Sequence, residues 1–277
     1  MASLVPPLYV LDLGRSAAKV KYDRDEFLIP SYLADAIELR LHKPGPFEYI
    51  LEYPGHPRMF LGELADPETG QGLNSRKPMW KQKYHNDFLW LGLASLYEAG
   101  VRKDSVEVGI PIPYNRWTDK EINNIKELFE GRHRFTMNGD ECVINIERVH
   151  IELECAVAVH LLPEDHKDKT IRICEVGDRT INYSTFTPGF RFNERQSGTI
   201  DQGWSTIGNQ NAESVANFLS TQVMTTWNPD DCIMLIGGVA EQLAPYIPFD
   251  ELVIPDKPRF ATARGTWEAI LTYDEEE

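Results

Sequence analysis

Short apolar runs closed by Gly or Pro alternate along the chain with stretches of helical spacing, the pattern of a mixed α/β protein. Leu8-Tyr-Val-Leu-Asp12 is a short apolar run closed by Gly14, and Ala18-Lys-Val-Lys-Tyr22 alternates with period two. The two read as a hairpin about Gly14. Residues 49–53 and 58–61 are strand candidates around Pro54-Gly55, and 66–78 reads as a loop rich in Gly, Pro, Asn and Asp. Residues 84–97 are apolar nearly all round, as in a buried helix, and Gly100 fits its stop. A strand follows over 106–112. Thr118 then opens a helix with Glu121 placed for a capping box and Ile122, Ile125 and Phe129 at helical spacing. Strands are expected over 142–146 and 170–176, with a short helix over about 154–161 between them. A helix over 212–227, a continuous apolar strand over 232–236 and a last helix over 260–271 complete the pattern.

The same local order occurs twice. An apolar strand ends in an acidic residue, a Gly follows two positions later, and a second strand comes next: Asp12-Leu-Gly14, then Glu175-Val-Gly177-Asp178. Two similar α/β halves facing each other would bring both acidic turns to one central cleft.

Composition changes this picture little. Of 277 residues, 42% are hydrophobic and 26% charged, which excludes a disordered or fibrous chain and leaves one large domain or two modest ones. Charge changes it more. The net value of −15 repels nucleic-acid backbones, so direct duplex binding is not expected. Cys142, Cys155, Cys174 and Cys232 are scattered with no CxxC pair, so reduced thiols in a cytoplasmic protein are the simplest reading. No apolar stretch is long enough to cross a bilayer, the start reads as a strand rather than a leader, and no membrane partner is expected. Arg76, Lys77, Lys81 and Lys83 form a small basic cluster, which reads as a solvated loop.

Each acidic turn has the chemistry of a metal–phosphate site. Gly14 and Gly177 let backbone N–H groups approach phosphate oxygens. Asp12 and Glu175 can hold Mg²⁺ through water, because Mg²⁺ keeps much of its hydration shell. Lys19 lies on the returning strand within reach of phosphates. A plain hairpin turn also carries such residues; two turns at matching places shift the balance toward phosphate. Gly237-Gly238-Val239 sits between a buried strand and an apolar helix, where a flat ring or phosphate can approach the backbone, or where tight packing alone requires glycine. The seven His residues form no HxxxH or HxH set, and Ser16 and Ser205 lack a His-Asp partnership, so a hydrolytic triad is not expected.

Taken in order, these segments resemble the actin-like ATPases, and among them the bacterial plasmid-segregating actins of the ParM and AlfA type. Asp12-Leu-Gly14-Arg15-Ser16-Ala-Ala-Lys19 resembles the first phosphate motif, and Glu175-Val-Gly177-Asp178-Arg-Thr180 the second. Leu235-Ile-Gly237-Gly238-Val239-Ala240 resembles the adenosine motif. Phe60-Leu-Gly-Glu-Leu-Ala65, Lys83-Tyr84, Gly109-Ile-Pro-Ile112 and Phe260-Ala-Thr-Ala-Arg-Gly265 are similar to further segments, in family order. The resemblance implies that Glu154, with Ala158 four residues on, positions the attacking water; Glu152 is the alternative two residues away. An ordinary carboxylate at a helix start is the plainer reading of Glu154.

Three positions depart from the family pattern. Arg15 follows Gly14 where a small residue is usual. Glu175 replaces Asp, moving the carboxylate by about 1.5 Å, so that a different Mg²⁺ geometry is expected, with Asp178 sharing the role. The stretch from Glu175 to Gly237 is short, leaving little room for the extra subdomain called IIB, as in the AlfA type.

The resemblance thus implies an α/β, actin-like (ribonuclease H-like) two-domain fold with a central nucleotide cleft. The first domain covers residues 1–162, with an inserted subdomain at about 32–96 and 258–277 returning to it; the second covers 163–257 without a full IIB. ATP or ADP with Mg²⁺ is the implied cofactor. The implied function is an ATPase that forms filaments with itself and segregates plasmid DNA through a ParR-type adaptor. A small-molecule kinase of the same fold, similar to type III pantothenate kinase, and a non-enzymatic scaffold are the alternatives.

Overall fold

The computed structural model describes residues 6–78 and 83–276. Lys81 of the basic cluster and residues 1–5 lie outside them. The chain divides into two units, 1–110 with 118–151, and 111–117 with 152–277. The last helix clusters with the second unit.

The first unit is built on a mixed sheet. Its first strands are β1 (Leu8–Leu13), β2 (Ala17–Tyr22), β3 (Asp25–Pro30) and β4 (Leu33–Asp35). Next come β5 (Glu48–Glu52), β6 (Met59–Gly62) and β7 (Leu73–Arg76). β8 (Ser105–Ile112), β9 (Gly131–Met137) and β10 (Asp140–Leu153) complete it. The order β3-β2-β1-β8-β10-β9-β5-β6-β4-β7 is one continuous ten-stranded path among the described residues. β1 pairs antiparallel with β2 and parallel with β8, and β3 and β7 are the edges.

Helix α1 (Asn86–Glu98) is buried on almost every side from Asp87 to Leu96, as its all-round apolar sequence requires. Helix α2 (Asp119–Phe129) starts at the expected cap: Thr118 Oγ1 accepts from the Glu121 N–H at 3.2 Å. It turns Ile125 and Phe129 inward and leaves its remaining face polar.

The second unit carries a smaller sheet. Its strands are β11 (Ile171–Val176), β12 (Ile181–Thr187), β13 (Arg191–Phe192), β14 (Gly198–Ile200), β15 (Cys232–Ile236) and β16 (Leu252–Val253). β11 pairs antiparallel with β12 and parallel with β15, which pairs parallel with β16. All residues of β11 and β15 are buried, the signature of strands covered on both faces. Helix α3 (Ala212–Gln222) contributes Val215, Ala216 and Leu219 to the core formed with Cys174, Val176, Ile233 and Leu235. The segment between β14 and β15 therefore packs on the unit's own sheet rather than folding as a lobe apart. Helix α4 (Ala240–Leu243) is short, and α5 (Ala261–Glu276) follows a 3₁₀ turn over Pro258–Phe260. A Cβ on Gly265 would lie 2.3 Å from the Val157 carbonyl oxygen, so α5 packs backbone to backbone.

The structure corrects the reading of residues 154–161. β10 runs on to Leu153, and the following segment is a 3₁₀ helix over Ala156–Leu161, not an α-helix opened by Glu154. Val157 and Val159 lose rotamer freedom in an α-helix, and Pro163 bars the segment from running on. Cys155, at φ 71°, makes the break.

Candidate nucleotide site

In the first unit Asp12 is the penultimate residue of β1 and is buried. The β1–β2 register sets it opposite Lys19, whose Nζ donates to Asp12 Oδ2 at 2.8 Å. Lys19 is partly exposed, so the ammonium keeps one side toward solvent. The turn between them is tight. The Gly14 N–H donates to the Asp12 carbonyl at 3.0 Å, and Ser31 Oγ donates to the Gly14 carbonyl at 2.7 Å. A Cβ at Gly14 would sit 2.7 Å from the Ala17 carbonyl oxygen and 3.3 Å from Lys19 Nζ, so any larger residue would push into the lysine. Arg15 is half-buried and Ser16 exposed on the same turn.

In the second unit Glu175 sits near the end of β11, buried, with Asn182 of β12 and Ile236 of β15 as its register neighbours. Thr262 Oγ1 of α5 donates to Glu175 Oε1 at 3.0 Å. The turn after it closes through Gly177 N–H to the Thr180 carbonyl at 2.9 Å. The Asp178 carbonyl accepts from the backbone and hydroxyl of Ser205, and Gly177's accepts from Trp204 N–H. Gly237 follows β15 at φ 100°, and a Cβ there would lie 2.6 Å from the Val176 carbonyl oxygen. Only glycine combines that backbone with that approach. Gly238 is exposed and Val239 half-buried. The helix after them has four residues, too short to carry a substantial dipole.

Glu154 joins this group. Asn182 Nδ2 donates to Glu154 Oε1 at 2.9 Å, while Thr199 Oγ1 donates to Asn182 Oδ1 at 2.8 Å. The hydroxyl fixes which way the amide faces, and the amide fixes the carboxylate. Burial pushes the nearby Glu152 carboxyl up to about 7. Burial, with Glu175 adding to it, also pushes the Cys155 thiol up, and Cys174 rises to about 12. Both thiols stay protonated and inert.

The structure thus brings Asp12, Gly14 and Lys19 together in one unit, and Glu154, Glu175, Gly177, Thr180 and Gly237 in the other. Asn182, Thr199 and Thr262 escaped the sequence reading, although Thr262 lies within the stretch 260–265 it singled out. Both carboxylates lie at the carboxyl ends of strands, where α/β sheets place their ligands. A cavity of about 630 Å³ lined by Tyr53, His56, Arg58, Arg134 and Glu141 includes none of these residues.

This arrangement, a mixed sheet in each unit with an acid and a glycine turn at a strand end, is that of the actin fold. The archaeal actin homologue Ta0583 matches with a TM-score of 0.77 at 18% identity, over 96% of this chain and 99% of that one. The AlfA filament bound to AMPPNP matches at 0.73 and 18% identity, over 98% of each chain. The apo ParM protein of pSK41 matches at 0.70 and 17% identity, over 99% of this chain and 100% of that one. The sequence profile of the family Actin like proteins N terminal domain matches residues 11–156. The chain belongs to the actin-like proteins. No curated protein matches its sequence. No helix among the described residues is long and apolar enough to cross a membrane.

Proposed function

We propose that this chain is an ATPase that binds ATP with Mg²⁺, assembles with copies of itself into filaments, and segregates plasmid DNA in the cytoplasm through a basic adaptor of the ParR type. The observation that carries the nucleotide reading is made within each unit: in the first, buried Asp12 is fixed 2.8 Å from Lys19 on a glycine turn, and in the second its counterpart in sequence, Glu175, is fixed by Thr262, with the Gly237 turn following the neighbouring strand. The archaeal homologue is also known in complex with ADP, and AlfA and Alp12 are known as filaments. Adaptor-mediated DNA contact fits a net charge of −15.

The residues fit the cofactor. Asp12 and Glu175 are the carboxylates that would hold the hydrated metal, with Asp178 near the second. Lys19 and the turns at Gly14–Ser16 and Gly177–Thr180 would receive phosphates, and Gly237–Val239 the nucleoside. Bound Mg²⁺ supplies charge neutralisation at the phosphate oxygens. Glu154 holds the attacking water and accepts its proton late, which suits a loose phosphoryl-transfer transition state.

Sedimentation with and without ATP and Mg²⁺, alongside phosphate release, tests the reading. Pelleting and release should both require nucleotide, and Asp12→Ala should abolish both while leaving the circular dichroism unchanged. Phosphate transfer to a small acceptor without pelleting would establish the kinase instead. Pelleting indifferent to nucleotide would establish a scaffold.

A further inference from the structure

At the end of the second unit's sheet opposite the Gly237 turn, three potential metal ligands meet. Cys232 opens β15, and Glu251 immediately precedes β16. The Ile233 N–H donates to the Glu251 carbonyl at 2.9 Å, so the sheet register holds the two side by side. His166 comes from a 3₁₀ turn over Glu164–His166, which the Lys169 N–H to His166 carbonyl bond at 3.0 Å ties to the start of β11. One donor atom from each of His166, Cys232 and Glu251 lies within 4.8 Å of the other two, and no other such trio occurs among the described residues.

We propose that His166, Cys232 and Glu251 bind a zinc-type divalent cation, with water as the fourth ligand. The donor set is thiolate, imidazole and carboxylate, the mixture Zn²⁺ prefers and Mg²⁺ does not. Zinc bond lengths in a tetrahedron put donor atoms about 3.3–3.6 Å apart. His166 Nε2 and Glu251 Oε1 are already at 3.6 Å, so the rest is closed by side-chain rotation.

The surroundings favour a metal over a mere ion pair. Asp165 Oδ1 lies 2.8 Å from His166 Nδ1. A carboxylate only accepts, so Nδ1 carries the proton and Nε2, facing Glu251, is the atom left to coordinate. This is the outer carboxylate that metal-bound imidazoles characteristically have. Cys232 is buried, with its sulfur within 4.8 Å of a Glu251 carboxylate oxygen. On binding, the Cys232 sulfur–zinc bond forms as the S–H proton leaves to solvent. Lys169 Nζ, 2.5 Å from Glu251 Oε1, is the built-in competitor, since it neutralises the carboxylate that the metal would use.

The site pins the turn before β11 to β15 and β16. Gly237 lies five residues beyond Cys232 along β15, so the site is about 16 Å from the Gly237 turn and shares no residue with the nucleotide groups. It stands whether or not the nucleotide reading holds.

The test is titration of the full chain, stripped by chelator and dialysis, with ZnCl₂ alone, by calorimetry against a competing chromophoric chelator. One zinc per chain is expected, with Kd below about 1 µM, near −8 kcal/mol. Cys232→Ser and His166→Gln should each weaken binding at least about 10-fold. Lys169→Met should tighten it, which no purely structural role predicts. Co²⁺ should give a thiolate charge-transfer band that Cys232→Ser removes. His166→Gln, on a surface turn, keeps the test valid if Cys232→Ser does not fold. Absence of zinc binding, binding unchanged in His166→Gln, or Co²⁺ without the band overturns the proposal.

Discussion

Replacing Glu152 by Gln isolates the effect of one half-buried acid. Burial lifts this carboxyl from 4.5 to about 7 because the charged form is poorly solvated where it sits. The fold therefore prefers the protonated acid. A raised carboxyl gives stability that is complete below about pH 4.5 and is lost as pH climbs through about 7. At about 1.4 kcal/mol per pH unit of separation, the full cost at high pH is about 3 kcal/mol, and the change from pH 5 to pH 8 is about 2.5 kcal/mol. Glutamine keeps the shape and never ionises. The Tm of Glu152→Gln should match the parent near pH 5 and exceed it by about 5–10 °C at pH 8. Scanning calorimetry of both chains at both pH values measures this. Comparing the two cancels the titration of His133 and His160, which burial pushes the opposite way, toward the neutral form. Equal Tm differences at pH 5 and pH 8 would refute the reasoning.

Glu154→Ala should slow phosphate release about 10²–10⁴-fold with ATP affinity nearly unchanged, and filaments should outlive the parent's. If Glu152→Ala is the slow variant instead, the water is held two residues away. Asn182→Leu should reproduce part of the Glu154 loss, since it frees the carboxylate from its amide; phosphate release under saturating ATP decides. Asp231→Ala should cost about 3–5 kcal/mol in chemical denaturation, because it strands the buried Arg172 guanidinium now paired with it at 2.8 Å. Arg172 would keep Thr185 and Gln196 as neutral hydrogen-bond partners, beside the Trp227 ring.

Much of the candidate site was legible because it depends on short-range chemistry. An acid at a strand end followed by Gly is visible within three residues, and Asp12 and Lys19 meet through the register of one hairpin. What was missed depends on distance along the chain. Thr262 reaches Glu175 across 87 positions and Asn182 reaches Glu154 across 28, so no local pattern reveals either pair. β9 went unread although His133, Phe135 and Met137 alternate inward between exposed Arg132 and Arg134; the charged face masked a period of two. β3 failed for a similar reason, opening with Asp25-Glu26. The helix assigned to 154–161 failed because a short apolar run does not distinguish a tight 3₁₀ turn from an α-helix.

The two margins of the large sheet have a bearing on solubility at high concentration. Unpaired strand margins recruit other strands indiscriminately unless they are blunted. β3 carries Asp25 and Glu26 at one end and Pro30 at the other, so a stranger meets charge first and a missing N–H last. β7 has four residues, and Asn74 at φ 52° breaks their extended line. In the second unit β13 and β16 have two residues each. A chain proposed to add copies of itself on a nucleotide signal must refuse every other invitation to stack. Here the refusal is written into the shortest and most charged strands, leaving growth to be governed by surfaces that respond to the bound nucleotide.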